Sequence, residues 1–216
     1  MKAKKLLLGL LSFICVGFSV LTVASCATEG LEYKLSDDHE SAIVSGYNGL
    51  SSKVVIPSKH SGFSISSIGS SAFYNCDFLQ SVKIPNSVTS IGYSAFKGCR
   101  SLSSIKIPDN VTKIGESAFY ECSSLKSIEI PDGVSNIERS TFEYCSSLEN
   151  ITIPDSVTNL EPYAFYYCSS LTTVFYTGTY DQWCELITAT VYKGQIITAA
   201  GNEVLKYVYV KCNYKG

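Results

Sequence analysis

The chain has 216 residues, 45% of them hydrophobic and 17% charged, which suits one globular domain with a continuous core and argues against disorder. The formal net charge is −2. Removing Lys2, Lys4 and Lys5 from the 17 basic residues leaves 14 against 19 acidic ones, a net charge of −5; with no basic excess or stripe, nucleic acid is not an expected partner.

Residues 1–25 read as a secretory signal: three lysines, a nearly all-apolar run from Leu6 to Val23, then the small residues Ala24 and Ser25. The run of about 18 residues also allows a retained membrane helix. The segment Val23-Ala24-Ser25-Cys26 resembles the lipobox of bacterial lipoproteins, which implies cleavage before Cys26 and its acylation. Each buried acyl methylene is worth about 0.8 kcal/mol, so the several chains that the resemblance implies give stable membrane anchoring. Residues 26–30 then serve as a tether, and a retained helix would place the domain on the same outer side.

Residues 31–61 read as a hairpin-rich amino-terminal cap. Short strands are expected at Leu31 to Ser36, Ala42 to Tyr47 and Lys53 to Ile56, separated by Asp37-Asp38 and Asn48-Gly49. The only histidines, His39 and His60, fall here.

From 62 to 176 the chain repeats. Cys76, Cys99, Cys122, Cys145 and Cys168 recur every 23 residues. A phenylalanine lies three residues before each, from Phe73 to Phe165, and a leucine three residues after, from Leu79 to Leu171. Ile-Pro pairs close four units at Pro85, Pro108, Pro131 and Pro154, and Tyr176-Thr177 closes the fifth. Such a period signals a solenoid, whose units bury their apolar sides only by stacking. In Leu125-x-x-Ile128-x-Ile130 the period-2 ending predicts a strand that Pro131 stops. Ser117-Ala118-Phe119-x-x-Cys122 predicts a short helical turn capped by the serine. Gly92 and Gly115 are expected at a bend needing unusual backbone angles. About five coils, paired in parallel about 4.8 Å apart, would make a stack roughly 24 Å long.

The pattern Ile-Pro-x-x-Val-Thr-x-Ile-Gly-x-x-Ala-Phe-x-x-Cys-x-x-Leu-x-x-Ile resembles the BspA-like leucine-rich repeat of bacterial surface proteins, over about Val55 to Tyr176. The resemblance implies a right-handed superhelix, mainly β with short helical turns and β-rich caps. Thr141 departs from the repeat's alanine, Glu138 and Glu161 from its glycine, and the first unit carries five additional residues around Lys59 to Phe63.

Residues 177–216 read as the carboxyl-terminal cap. The segment from Tyr176 to Trp183 resembles a motif that often ends these arrays, which implies that Trp183, the only tryptophan, covers the last coil, with stacking on a ligand as the alternative; strands follow at Gln195 to Thr198 and Val204 to Lys211 around Ala200-Gly201-Asn202.

The cysteine ladder is expected to be core. Stacked equivalents about 4.8 Å apart with parallel side chains do not give the facing Cβ atoms, about 3.8 Å apart, of a disulfide. Zinc needs four ligands converging on one point, and a linear ladder does not converge. Cys184 and Cys212, outside the ladder, either pair or stay reduced. No nucleophile with a base, paired carboxylates in a cleft or phosphate loop is visible, so neither catalytic residues nor a metal or cofactor is expected; Cys76 with His60 pairs a core position with an expanded loop.

Function then falls to positions that vary between coils. One outward column is Gln80, Ser103, Lys126, Glu149 and Thr172; another is Lys83, Lys106, Glu129, Thr152 and Phe175. A third surrounds the turn: Tyr74, Tyr120, Tyr144, Tyr166 and Tyr167, with Tyr163 close by. Tyrosines offer large apolar area with a polar tip, which suits binding surfaces as well as shielding of turns. The BspA-like resemblance implies adhesion to host extracellular proteins or other cells, and the lipobox a lipid anchor at the cell surface or outer membrane; with no catalytic constellation visible, an enzyme is not expected. A lipoprotein capturing a glycan or peptide for another envelope protein is the alternative.

Overall fold

The computed structural model describes residues 28–188, 191–192, 195–196, 202–206 and 208–213. Cys26, the signal segment and Ala200-Gly201 lie outside them. The chain winds as a β-solenoid of about six turns, one more than the cysteine count suggests. The extra turn comes from the expected cap, because its third strand already joins the solenoid wall.

The first wall contains β3 (Lys53–Val55), β6 (Ser81–Lys83), β8 (Ser104–Lys106), β10 (Ser127–Glu129), β12 (Asn150–Ile153) and β14 (Thr173–Tyr176). Each turns one apolar residue inward between two less buried neighbours, and Val54, Val82, Ile105, Ile128, Ile151 and Val174 are buried. Pro85, Pro108, Pro131 and Pro154 cannot extend the strands. Their carbonyls instead accept the amides of Val88, Val111, Val134 and Val157 at 3.0–3.1 Å, turning the chain toward the second wall.

That wall contains β5 (Phe63–Ile68), β7 (Ser90–Ile91), β9 (Lys113–Ile114), β11 (Asn136–Ile137) and β13 (Asn159–Leu160). Neighbouring coils pair in parallel and in register, Ile91 opposite Ile114 and Asn136 opposite Asn159. Both walls are interrupted at one junction: pairing stops between β8 and β10 on the first, and between β9 and β11 on the second.

The third side departs from the helical turn expected there. Its chain alternates: Ser71, Phe73 and Asn75 donate their amides to carbonyls of the next coil, while Ala72, Tyr74 and Cys76 donate three residues back. Half of the amides are therefore committed between coils, and an α-helical ladder cannot form. The alternation requires two left-handed residues per coil. Ser71, Ser94, Ser117, Ser140 and Tyr163 fill the first position, at φ between 50° and 64°. The serine thus supplies the left-handed turn, and its amide is tied to the next coil, in Ser117 to the Arg139 carbonyl at 3.0 Å.

Gly92 and Gly115 also have a different role from the expected one. Neither has positive φ; a Cβ on Gly92 would lie 2.7 Å from the Ser70 amide nitrogen, and one on Gly115 2.7 Å from that of Tyr93. Glycine is needed there because two coils approach closely.

Inside, Phe73, Phe96, Phe119, Phe142 and Phe165 are fully buried and stack in near-parallel pairs, with centroids 5.1–5.6 Å apart. The ladder thiols hydrogen-bond as well as fill space. Cys99, Cys122, Cys145 and Cys168 donate to the carbonyls of Phe73, Phe96, Phe119 and Phe142 at 3.1–3.3 Å. Burial pushes these thiols up, Cys168 to about 12, and keeps them protonated.

The ends differ from the repeat, as a solenoid requires. At the amino terminus β1 (Leu31–Leu35) and β2 (Ala42–Tyr47) form an antiparallel hairpin, β2 pairs with β5, and the Tyr47 ring lies 5.5 Å from that of Phe73. The additional residues of the first unit form a second hairpin, β4 (Lys59–His60) with β5, turned by Ser61 and Gly62, both at positive φ. At the carboxyl terminus helix α1 (Tyr180–Thr188) buries Trp183 against Tyr176, at 5.5 Å. Thr179 and Gln182 cap it reciprocally: the Gln182 side chain accepts the Thr179 amide (2.8 Å), and the Thr179 hydroxyl accepts the Gln182 amide (3.3 Å).

Beyond α1, β15 (Val191–Tyr192) pairs with β16 (Gln195–Ile196). The strand expected from Val204 to Lys211 is split into a 3-10 turn, Glu203–Lys206, and β17 (Tyr209–Lys211), which continues the first wall beside β14. The turn lets Asn202 and Leu205 reach the core, where both are buried.

Candidate functional site

The tyrosine-rich edge is built by the left-handed turns. The second such position is held by Asn75, Gly98, Glu121, Tyr144 and Tyr167 in successive coils, and Tyr163 holds the first position of the last coil. Asparagine and glycine suit that conformation, whereas a bulky side chain costs roughly 1–2 kcal/mol. Three tyrosines are nevertheless placed there, and the geometry turns their rings outward.

The rings form one cluster. Tyr144 stacks on Tyr167 (4.9 Å, 6°), Tyr166 meets Tyr167 edge-on (4.4 Å, 74°), and Tyr120 and Tyr163 flank them at 5.6 Å from Tyr144 and Tyr166. Lys97 lies 4.4 Å over Tyr120, and the Arg139 guanidinium 5.6 Å over Tyr163. Tyr144, Tyr163 and Tyr167 remain exposed, Tyr167 by 56%. The Tyr166 phenol is held above its ordinary value, first by its hydrogen bond with Tyr167; that of Tyr120 is raised first by desolvation. Tyr74 is exposed two coils before Tyr120 and lies outside the cluster.

Lys83, Lys106, Glu129, Thr152 and Phe175 do form one column across the first wall, in the register Lys83–Lys106 and Glu129–Thr152–Phe175. Lys83, Lys106 and Glu129 are exposed and Phe175 is half-buried. The column crosses the gap between β8 and β10. There a groove of about 580 Å³ opens, floored by Ile105, Ile107, Ile128 and Ile130 and rimmed by Lys106, Asp109, Glu129, Asp132, Asn150 and Thr152.

Sequence reasoning did not single out Asp109 and Asp132, although Pro-Asp recurs at the 23-residue step through Pro108-Asp109, Pro131-Asp132 and Pro154-Asp155. It also missed Lys97 and Arg139 over the rings. Cys76 is buried in the ladder, and His60 is exposed on the hairpin, stacked on Tyr33 at 3.8 Å. Cys184 and Cys212 are half-buried at the carboxyl-terminal end. Among the described residues no group of three or more His, Cys, Asp or Glu is placed to hold a metal ion, and no helix is long and apolar enough to cross a membrane.

The model of the BspA type leucine-rich repeat region matches residues 53–186 in six copies. The chain belongs to the BspA-type leucine-rich repeat family. Its BspA-type repeats begin with β3, in agreement with the pairing of β3 and β6. A leucine-rich repeat protein of T. pallidum is similar, at 34% identity over 69% of this chain and 70% of that one, with a TM-score of 0.67. A leucine-rich cell surface protein of Faecalibacterium prausnitzii shares 27% identity over 78% of this chain and 56% of that one (TM-score 0.53). A leucine-rich repeat protein of Eubacterium ventriosum shares 26% over 69% and 42% (TM-score 0.52). No curated protein matches the chain.

Proposed function

We propose that this BspA-type repeat chain is a cell-surface lipoprotein, acylated at Cys26, whose solenoid adheres to an extracellular protein through the tyrosine cluster. The observation that carries this reading is the joining of Tyr120, Tyr144, Tyr163, Tyr166 and Tyr167 into one exposed aromatic patch, with three of the rings on left-handed residues. Strained, exposed aromatic residues are unfavourable for folding alone, and rigid tyrosines lose little entropy on binding. The family's standing as binding repeats and the cell-surface description of the F. prausnitzii protein support the same reading.

The test is capture of extracellular-matrix proteins beside a glycan array. Matrix binding should fall at least tenfold in Tyr144→Ser/Tyr167→Ser with an unchanged melting temperature. Glycan-only binding would overturn adhesion to protein.

One observation favours the second reading, capture of a glycan or peptide for another envelope protein. The groove between β8 and β10 carries Lys106, Asp109, Glu129, Asp132 and Asn150 above an isoleucine floor, the polar rim and apolar base of a small-ligand site.

A further inference from the structure

The chain leaves the solenoid under tight constraint at its amino-terminal end. Thr28 is fastened to the outer edge of β3: its amide donates to the Val55 carbonyl (3.3 Å) and its hydroxyl accepts the Val55 amide (2.7 Å). Two residues on, the Gly30 carbonyl accepts the Asn48 amide at 2.9 Å. The two backbones touch here, since a Cβ on Gly49 would fall 2.5 Å from the Glu29 carbonyl oxygen. Three residues of the expected 26–30 tether are therefore part of the folded end coil.

Only Ala27 separates Cys26 from Thr28, and two residues reach at most about 7 Å. A leaflet's hydrocarbon layer is about 15 Å deep, half of a bilayer core. An acyl anchor on Cys26 therefore holds the end coil at the lipid surface. Leu50 projects from the same loop, one residue past the contact with Glu29, and at 89% is the most exposed large apolar side chain among the described residues. Tyr47 joins it to a wider patch, exchanging hydrogen bonds with Ser51 through its hydroxyl while its ring lies 6.4 Å from that of the half-exposed Phe78.

On the reading of Cys26 as the acylated residue, we infer that the amino-terminal end of the solenoid rests on the bilayer and that Leu50 enters its interfacial layer. Glu29 and Glu32 beside the loop make a zwitterionic lipid face a better partner than an anionic one. The stacking of Phe73 through Phe165 then carries the tyrosine cluster about 20 Å outward, toward whatever meets the cell.

The test uses the full-length chain, made in a lipoprotein-processing bacterium and reconstituted into phosphatidylcholine vesicles with brominated acyl chains. Leu50→Trp is compared with Tyr209→Trp, at the opposite end of the stack, against the buried Trp183 common to both. Fluorescence at position 50 should be quenched at least twofold more than at position 209. Equal quenching at the two positions, or none at position 50, in an acylated chain that floats with the vesicles overturns the orientation and leaves the anchor standing. An amino-terminal peptide without acyl mass overturns the anchor and the inference together. The chain made from residue 26 onward with Cys26→Ser, and so without the apolar signal segment, should sediment as a monomer; a dimer abolished by Leu50→Ser would make a second copy, rather than lipid, the occupant of this end.

Discussion

On the turn side of the solenoid, every junction between full coils carries the same three crossing amide bonds, from Ser71, Phe73 and Asn75 in the first to Ser140, Phe142 and Tyr144 in the last. On the two walls, pairing stops at a single junction, between β8 and β10 and between β9 and β11. The coils before it carry Gly69, Gly92 and Gly115 at the close approach, and those after it Glu138 and Glu161. A side chain cannot come as close as Gly115 does, so two wall geometries meet where glycine gives way to glutamate. The difference teaches that the phenylalanine–cysteine spine sets the stack, whereas the walls tolerate mismatch and can open a groove.

The largest test of that contrast is alkaline. The ladder thiols are raised above the ordinary value of 9.0 by burial, Cys168 to about 12. Their contribution is complete below the unfolded-state value and is lost as pH rises through it toward the folded value. At pH 10 each thiol costs about 1.4 kcal/mol, on the order of 5 kcal/mol for Cys99, Cys122, Cys145 and Cys168 together. Urea titrations between pH 7 and 10 read this loss, and a Cys122→Ala/Cys145→Ala chain should show a shallower decline.

Phe119→Ala, in the middle of the spine, should lower unfolding free energy by about 3–5 kcal/mol, the usual cost of a large-to-small core change. Asn202→Ala should cost about 1–3 kcal/mol by leaving the buried Phe165 amide without its acceptor, while the Glu161 carbonyl keeps only the Ala164 amide. Lys126→Ala, in an outward column, should stay within about 0.5 kcal/mol. Comparable melting shifts for Phe119→Ala and Lys126→Ala would contradict the division into spine and surface.

The spine was legible because Phe, Cys and Leu recur with identical neighbours, and only stacking can bury them together. The buried Trp183 was legible too, although its helix was not, despite the Thr179-x-x-Gln182 capping pattern and the inward pair Trp183 and Leu186. The left-handed turn was hidden because Ser117-Ala118-Phe119 has the composition of a helix start, and only the amide bonds between coils exclude one. The tyrosines were legible as one group around the turn but not as rings in mutual contact, nor was the separation of Tyr74 from them: Tyr144 and Tyr167 lie in one register column and Tyr120 and Tyr166 in the next, and contact between the columns depends on side-chain direction. The groove depends on a junction between coils that no single unit encodes.

Asn202 bears on how such an array changes length. Each spine phenylalanine gives its amide to a carbonyl one coil further on; Phe165, the last, gives its amide to the Asn202 side chain at 2.9 Å, and the same carboxamide donates to the Glu161 carbonyl at 3.0 Å. One side chain thus imitates the edge of an absent neighbour, and it makes the same demand of whichever coil precedes it. A gene that duplicates or loses a 23-residue cassette therefore keeps both of its seals, and selection can adjust the reach of the protein in steps of about 5 Å without redesigning either end.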